Sequence, residues 1–142
     1  MRVFTIVLLA ALALSCKTEQ QQVGEVAGTV TDLGVRYEEL VVGTGKQAEM
    51  GSPVECHYTL WFADSAGTKL QRFQSSKDGG QPFQCTLGQR LITGWSDGMV
   101  GMKEGGIRRL IIPPELGYGK GGGPIPPDQW LVFEIEFLKL LQ

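Results

Sequence analysis

Between Phe83 and Trp95 the hydrophobic pattern changes period, and that change constrains everything around it. Phe83, Cys85 and Leu87 alternate with Gln84 and Thr86, the signature of a half-buried strand. Gly88 ends the alternation. Thr93 is then placed to cap a short helix whose apolar members are Trp95, Met99 and Met102. An indole therefore enters the interior at the first helical turn, opposite a strand carrying Phe83. A large ring in that position is either the floor of an apolar pocket or one core tryptophan among several. The pattern alone leaves both readings open.

The chain has 142 residues, the length of one domain, and a net charge of −2. Without a basic footprint, nucleic acid is not an expected partner. The 20 glycines favour turns and strands over long helices.

The N-terminus is read apart from the domain. Arg2 precedes an apolar run from Phe4 to Leu14, shorter than the ~20 residues a membrane-spanning helix needs. Polar sequence follows at once from Lys17, so 1–15 is read as an export signal peptide. Ala11-Leu12-Ala13 fits a small-x-small cleavage site, whereas Ala13-Leu14-Ser15-Cys16 resembles a bacterial lipobox with Cys16 as the lipidated residue. The lipobox match departs from the usual order, which has Leu three before the Cys and a small residue two before it. The expectation is an exported, periplasmic lipoprotein anchored through Cys16; Lys17, in place of the aspartate that retains many lipoproteins on the inner membrane, points to the outer one. Residues 16–33 have no sustained period and read as a flexible tether, leaving 34–142 as the folded domain.

Within that domain Val35–Val41, Val54–Phe62, Lys69–Gln74, Phe83–Leu87, Ile107–Ile112 and Trp130–Leu140 have strand character. Val54, Cys56, Tyr58 and Leu60 form one side of the second, with Glu55, His57 and Thr59 on the other. Asp64–Gly67 is a hairpin turn. Leu131, Phe133, Ile135 and Phe137 share a face of the last strand. The stretch Glu115–Pro127, rich in Gly and Pro, is excluded from helix and ladder and is read as a long loop of the kind that carries function. The class is α+β: an antiparallel sheet of about five strands wrapped around one short helix.

Several chemistries are excluded. His57 is the only histidine, which argues against a zinc site. No nucleophile elbow occurs. Gly117–Gly123 lacks the Gly-Lys-Ser/Thr ending of a phosphate loop and is followed by Pro124 rather than a helix. No metal or cofactor is expected. An aromatic excess with few titratable groups fits an apolar pocket better than acid–base catalysis. Setting Cys16 aside leaves Cys56 and Cys85, read either as a disulfide in an oxidising compartment or as two buried thiols.

From Gly34 onward the chain resembles the FKBP-type peptidyl-prolyl cis/trans isomerases. The resemblance rests on His57-Tyr58-Thr59, Phe73-Gln74-Ser75-Ser76, Pro82-Phe83 with Leu87-Gly88, Ile92-Thr93-Gly94-Trp95, Gly117-Tyr118-Gly119, Ile125-Pro126-Pro127 and Leu131-Val132-Phe133-Glu134 in that order and spacing. It implies an FKBP-like fold and a pocket whose catalytic members are Tyr58, Phe73, Gln74, Trp95, Tyr118 and Phe133, with Phe83, Leu91, Ile92 and Ile125 binding substrate. It also implies partners: proline-containing polypeptides, with macrolides bound more weakly than by family members that carry an aspartate after the Phe, where Gln74 stands. The Gly88–Trp95 and Gly119–Ile125 segments are shorter than usual, and Leu116 replaces a common aromatic. No space remains for the dimerisation arms of some bacterial relatives, so a monomer is expected. A non-catalytic holdase using the same groove is the alternative reading.

Overall fold

The two longest alternating segments become the two longest strands. In the computed structural model, which describes residues 28–142, Pro53–Ala63 (β3) and Trp130–Leu140 (β7) run antiparallel from Val54 opposite Leu140 to Ala63 opposite Trp130. Their inward residues are the expected ones: Val54, Cys56 and Leu60 on β3, and Leu131, Phe133, Ile135 and Phe137 on β7, are all buried. The expected signal peptide, Cys16 and residues 16–27 of the expected tether lie outside the described residues.

The sheet has seven strands rather than five, all antiparallel, with Thr93–Met99 (α1) packed on it. Beyond β7 come β6 (Ile107–Ile112), β2 (Arg36–Val41) and β1 (Thr29–Val30). On the other side of β3, β4 (Lys69–Ser75) pairs with its second half and β5 (Phe83–Thr86) with its first. Thr29–Val30, expected in the tether, pairs with Tyr37 and Arg36, so the ordered fold begins before residue 34. A segment of two residues is too short to show a period. The Asp64 turn closes as expected, its carboxylate accepting from the Ala66 and Thr68 N–H groups at 2.9 Å each. The expected loops contain single 3-10 turns at Ser76–Asp78 and Pro114–Leu116.

The helix departs from expectation at its start. Ile92, not Thr93, occupies the N-cap position, and no side chain caps it. A seven-residue helix has little stability of its own, so its position depends on contacts from outside. Gly94 and Gly98 lie one turn apart on the face against β6; a Cβ on Gly94 would stand 2.5 Å from Ile112 Cγ2, and one on Gly98 2.6 Å from Leu110 Cδ1. The missing side chains let helix backbone settle onto the strand. Ser96 Oγ accepts from Gly88 N–H at 2.9 Å, and Thr31 donates to the Asp97 carboxylate. Met102, expected on the helix, lies three residues past its end but is buried in the same core.

Arg108 completes the attachment. It is 4% exposed, pairs with Glu39, donates to the Gly98 and Val100 carbonyls at 2.7 and 3.1 Å, and lies 4.3 Å from the Tyr37 ring centre. Its removal leaves a carboxylate and two helix-end carbonyls without their donor. We expect Arg108→Ala to lose about 3 kcal/mol in equilibrium urea unfolding; a loss below about 0.5 kcal/mol, the range of ordinary surface changes, would show that the clamp does not hold the helix.

Candidate active site

The apolar side of β3 and β7 supplies the walls of a hollow, and α1 supplies its floor. Tyr58 follows Cys56 on the inward set of β3, Phe133 lies on β7, and Phe83 comes from β5, where it sits opposite Cys56. Trp95, 3% exposed, rises from the first turn of α1. Its ring meets Phe133 edge-on at 4.9 Å and 86°, Tyr58 at 5.2 Å and 86°, and Phe83 at 5.9 Å and 80°. Tyr58 is in turn edge-on to Phe83 at 5.4 Å. Such edge-to-face arrangements place positive ring edges on negative faces. None of the three rings stacks flat on the indole.

The hollow has a volume of about 240 Å³ and is lined by Tyr58, Leu60, Gln74, Phe83, Arg90, Leu91, Ile92, Trp95, Tyr118 and Phe133. Eight of the ten residues expected for the site are thus brought together. Phe73 and Ile125 are not among the lining residues. β4 carries an irregularity between Gln74, opposite Leu60, and Arg72, opposite Trp61. Phe73 sits in that break and stacks on Phe62 at 4.8 Å and 22°, while Gln74 turns to the hollow. Ile125 is 7% exposed and closes a tight turn with Gly122, their N–H and C=O groups pairing in both directions. It supports the loop that carries Tyr118.

Two lining residues were missed. Leu60 was legible, being on the same strand face as Tyr58. Arg90 was not: its backbone has φ +54°, a left-handed conformation that nothing in its side chain announces.

Polar groups are sparse and placed at the mouth. Tyr118 is 43% exposed. The Ile92 N–H has no hydrogen-bond partner among the described residues, while the Ile92 carbonyl accepts from Trp95 N–H at 3.1 Å. Burial, then the nearby Tyr118 and Cys56, push the Tyr58 phenol above its ordinary value of 10.0. His57 points the other way, Nδ1 2.9 Å from Ser76 Oγ. Among the described residues, no three His, Cys, Asp or Glu side chains cluster as metal ligands. Cys56 and Cys85 are free thiols. The hollow therefore offers an apolar floor, neutral donors and the Arg90 guanidinium in its lining, and no acid–base pair.

Residues 44–138 match the model of a family described as FKBP-type peptidyl-prolyl cis-trans isomerase. An FK506-binding protein of Neisseria meningitidis serogroup B is 47% identical over 112 residues, covering 77% of this chain and 98% of that protein. The human peptidyl-prolyl cis-trans isomerase FKBP2 is 44% identical over 97 residues, covering 66% of this chain and 65% of that one. Among solved structures, AtFKBP13 matches with TM-score 0.69 and 34% identity over 80% of this chain and 98% of that one. FkpA from Escherichia coli matches with TM-score 0.70 and 33% identity, again over 80% of this chain, which spans about half (51%) of it.

A raised phenol stays protonated, and able to donate, through the whole neutral range. In an alkaline titration followed by phenolate absorbance, the component that Tyr58→Phe removes should have its midpoint above 10.0. A midpoint at or below that value would mean the ring stands in water.

Proposed function

The chain belongs to the FKBP-type peptidyl-prolyl cis-trans isomerase family, and from that membership we propose that it rotates X-Pro bonds of exported proteins in the hollow over Trp95. The family binds proline-containing peptides and FK506-like ligands. The reaction is rotation about a bond with a barrier of ~18–20 kcal/mol, which takes tens to hundreds of seconds uncatalysed. Reaching milliseconds requires a gain of about 10⁴–10⁵, or ~6 kcal/mol.

No bond is made or broken, so no nucleophile or base is needed. The planar amide is polar and resonance-stabilised; the twisted one has lost much of its charge separation. A dry hollow disfavours the first relative to the second. The observation that carries this reading is the indole floor, buried and ringed by the edges of Tyr58, Phe83 and Phe133. A prolyl ring lies on that floor. The Ile92 N–H and the Tyr118 hydroxyl hold the carbonyls on either side, which fixes the axis of rotation. Gln74 provides an uncharged amide at the wall nearest the twisting bond.

Trp95→Leu keeps the core apolar but removes the floor. In a protease-coupled or proline-limited refolding assay we expect kcat/KM to fall at least about tenfold, one decade per ~1.4 kcal/mol. Gln74→Asp should raise it. A wild-type rate equal to that of Trp95→Leu would leave the hollow as a peptide-holding groove without catalysis.

The setting we propose is the periplasm, with a monomeric domain attached to the outer membrane through a lipid on Cys16. The support is the apolar run Phe4–Leu14 just before Cys16 and the polar segment after it. Among the described residues no helix is long and apolar enough to cross a membrane. Radioactive fatty acid fed to expressing cells should label the wild type and not Cys16→Ala. Equal labelling, or none in the wild type, would reject the anchor.

A further inference from the structure

Behind the aromatic hollow, β3 and β5 bring together two side chains that isomerisation does not use. Val54 is opposite Cys85 and Cys56 is opposite Phe83, so Cys56 and Cys85 are diagonal neighbours on the inward face. Cys56 is fully buried, while Cys85 is half-buried and borders a surface depression formed by Phe83–Thr86 and Gln89–Leu91. Both side chains pack into the same apolar core, Cys56 within it and Cys85 against it. Trp95 belongs to that core, and its ring N–H is buried with no hydrogen-bond partner among the described residues. A thiol pair thus touches the floor of the hollow from behind and shares a strand with one of its walls.

We propose that Cys56 and Cys85 are a reversible thiol-modification site for low-molecular-weight disulfides such as oxidised glutathione, whose closure to a disulfide reshapes the hollow through Phe83 and Trp95. Cys85 is the attacking sulfur. The neighbouring Cys56 thiol lowers its pKa, burial opposes this, and the nearby indole adds to the lowering; Cys56, beside Cys85 and buried, is pushed up and stays a thiol. The Cys85 thiolate attacks one sulfur of glutathione disulfide and expels one glutathione thiolate. Cys56 then gives up its proton and attacks the Cys85 sulfur, expelling the second. Two protein thiols become one disulfide, two electrons pass to the oxidant, and two glutathione thiols leave.

The closure is not neutral for the sheet. Diagonal residues of an antiparallel pair have Cα atoms about 7–8 Å apart, whereas disulfides span about 4.4–6.8 Å. The bond therefore draws β5 along β3. Phe83 moves with it, and Cys85 turns away from the indole. A bond that displaces backbone is also easily reduced, which makes the site reversible rather than a permanent staple.

The effect on turnover rests on the function proposed above, so the test has a readout that does not. The full chain is equilibrated in buffers of reduced and oxidised glutathione, and peptide mapping locates the bond. Tryptophan emission, with the Trp95 share assigned by Trp95→Phe, and kcat/KM on a prolyl peptide are read in both states. Oxidation should join Cys56 to Cys85, change the Trp95 emission, and lower kcat/KM about three- to tenfold, the size of one lost aromatic contact of ~0.5–1.5 kcal/mol; reductant should restore both. Cys85→Ala should respond to neither buffer. No Cys56–Cys85 bond, a bond that leaves the Trp95 emission unchanged, or a redox response persisting in Cys85→Ala would each overturn the proposal. If the reduced protein is inactive while bond and emission change together, the isomerase reading fails and the thiol site stands.

Discussion

The fold depends on how close a helix of seven residues can be pressed against β6. Alone, such a helix has too few internal hydrogen bonds to persist, and it starts without a side-chain cap. Its sequence, Thr-Gly-Trp-Ser-Asp-Gly-Met, does not favour helix either, since two glycines each cost roughly 1 kcal/mol relative to alanine. Those glycines lie where Cβ atoms would overlap Ile112 and Leu110. Propensity is given up for approach, and approach puts the next residue, Trp95, at the bottom of the sheet's concave side. Ser96 is hydrogen-bonded to Gly88, Asp97 to Thr31, and the carbonyls of Gly98 and Val100 both to Arg108. The indole is thereby fixed by three partners, Gly88, Thr31 and Arg108, without a long helix to carry it.

Apart from Arg90, charge is kept off this side. On the opposite face of the sheet, Glu134 accepts from Lys69 and from Arg109, and Arg109 also reaches Glu38 at 2.9 Å. Burial pushes the Glu134 carboxyl up, but the two cations outweigh it and hold it below the ordinary value of 4.5. Because its folded-state value is depressed, the stability it contributes is fully present above the ordinary carboxylate range and is lost as pH falls through the folded value. The strand alternation thus separates two environments one residue apart: Thr59 and Glu134 pair on the charged face, Leu60 and Phe133 on the dry one. On the proposed function, holding a neutral amide away from water needs that separation more than it needs any particular polar group.

How much of this is legible in sequence follows from where the period holds. Tyr58, Phe83 and Phe133 fall on unbroken alternations, so parity alone assigns their faces. Trp95 follows from the change of period after Gly88. Phe73 fails because β4 slips against β3 between Arg72 and Gln74; counting from either end assigns it a face, but the break gives that face to Gln74. Ile125 fails because Pro and Gly set its turn rather than any repeat. Arg90 depends on a left-handed backbone, and Thr29–Val30 on a partner strand in β2; neither leaves a local trace. Cysteine counting offers Cys56 and Cys85 as a disulfide or as two thiols, but their diagonal placement required the register of β3 against β5, which two separate strand patterns cannot supply.

The register also explains why Gln74 is a reasonable residue at a position where relatives of this type carry a carboxylate. It sits opposite Leu60, at the edge of an apolar wall. A carboxylate placed there loses hydration and has no cation from the sheet to replace it, since Lys69 and Arg109 are engaged on the far face. It would have to be compensated by the bound substrate or by Arg90 at the rim. An amide has no such demand: it donates and accepts, and its burial costs less than that of a charge. Rotation of a prolyl bond transfers no proton and creates no lasting charge, so the chemistry tolerates the exchange. What the exchange gives up is electrostatic contrast between planar and twisted amide, and the remaining contrast must come from the dryness of the rings around Trp95.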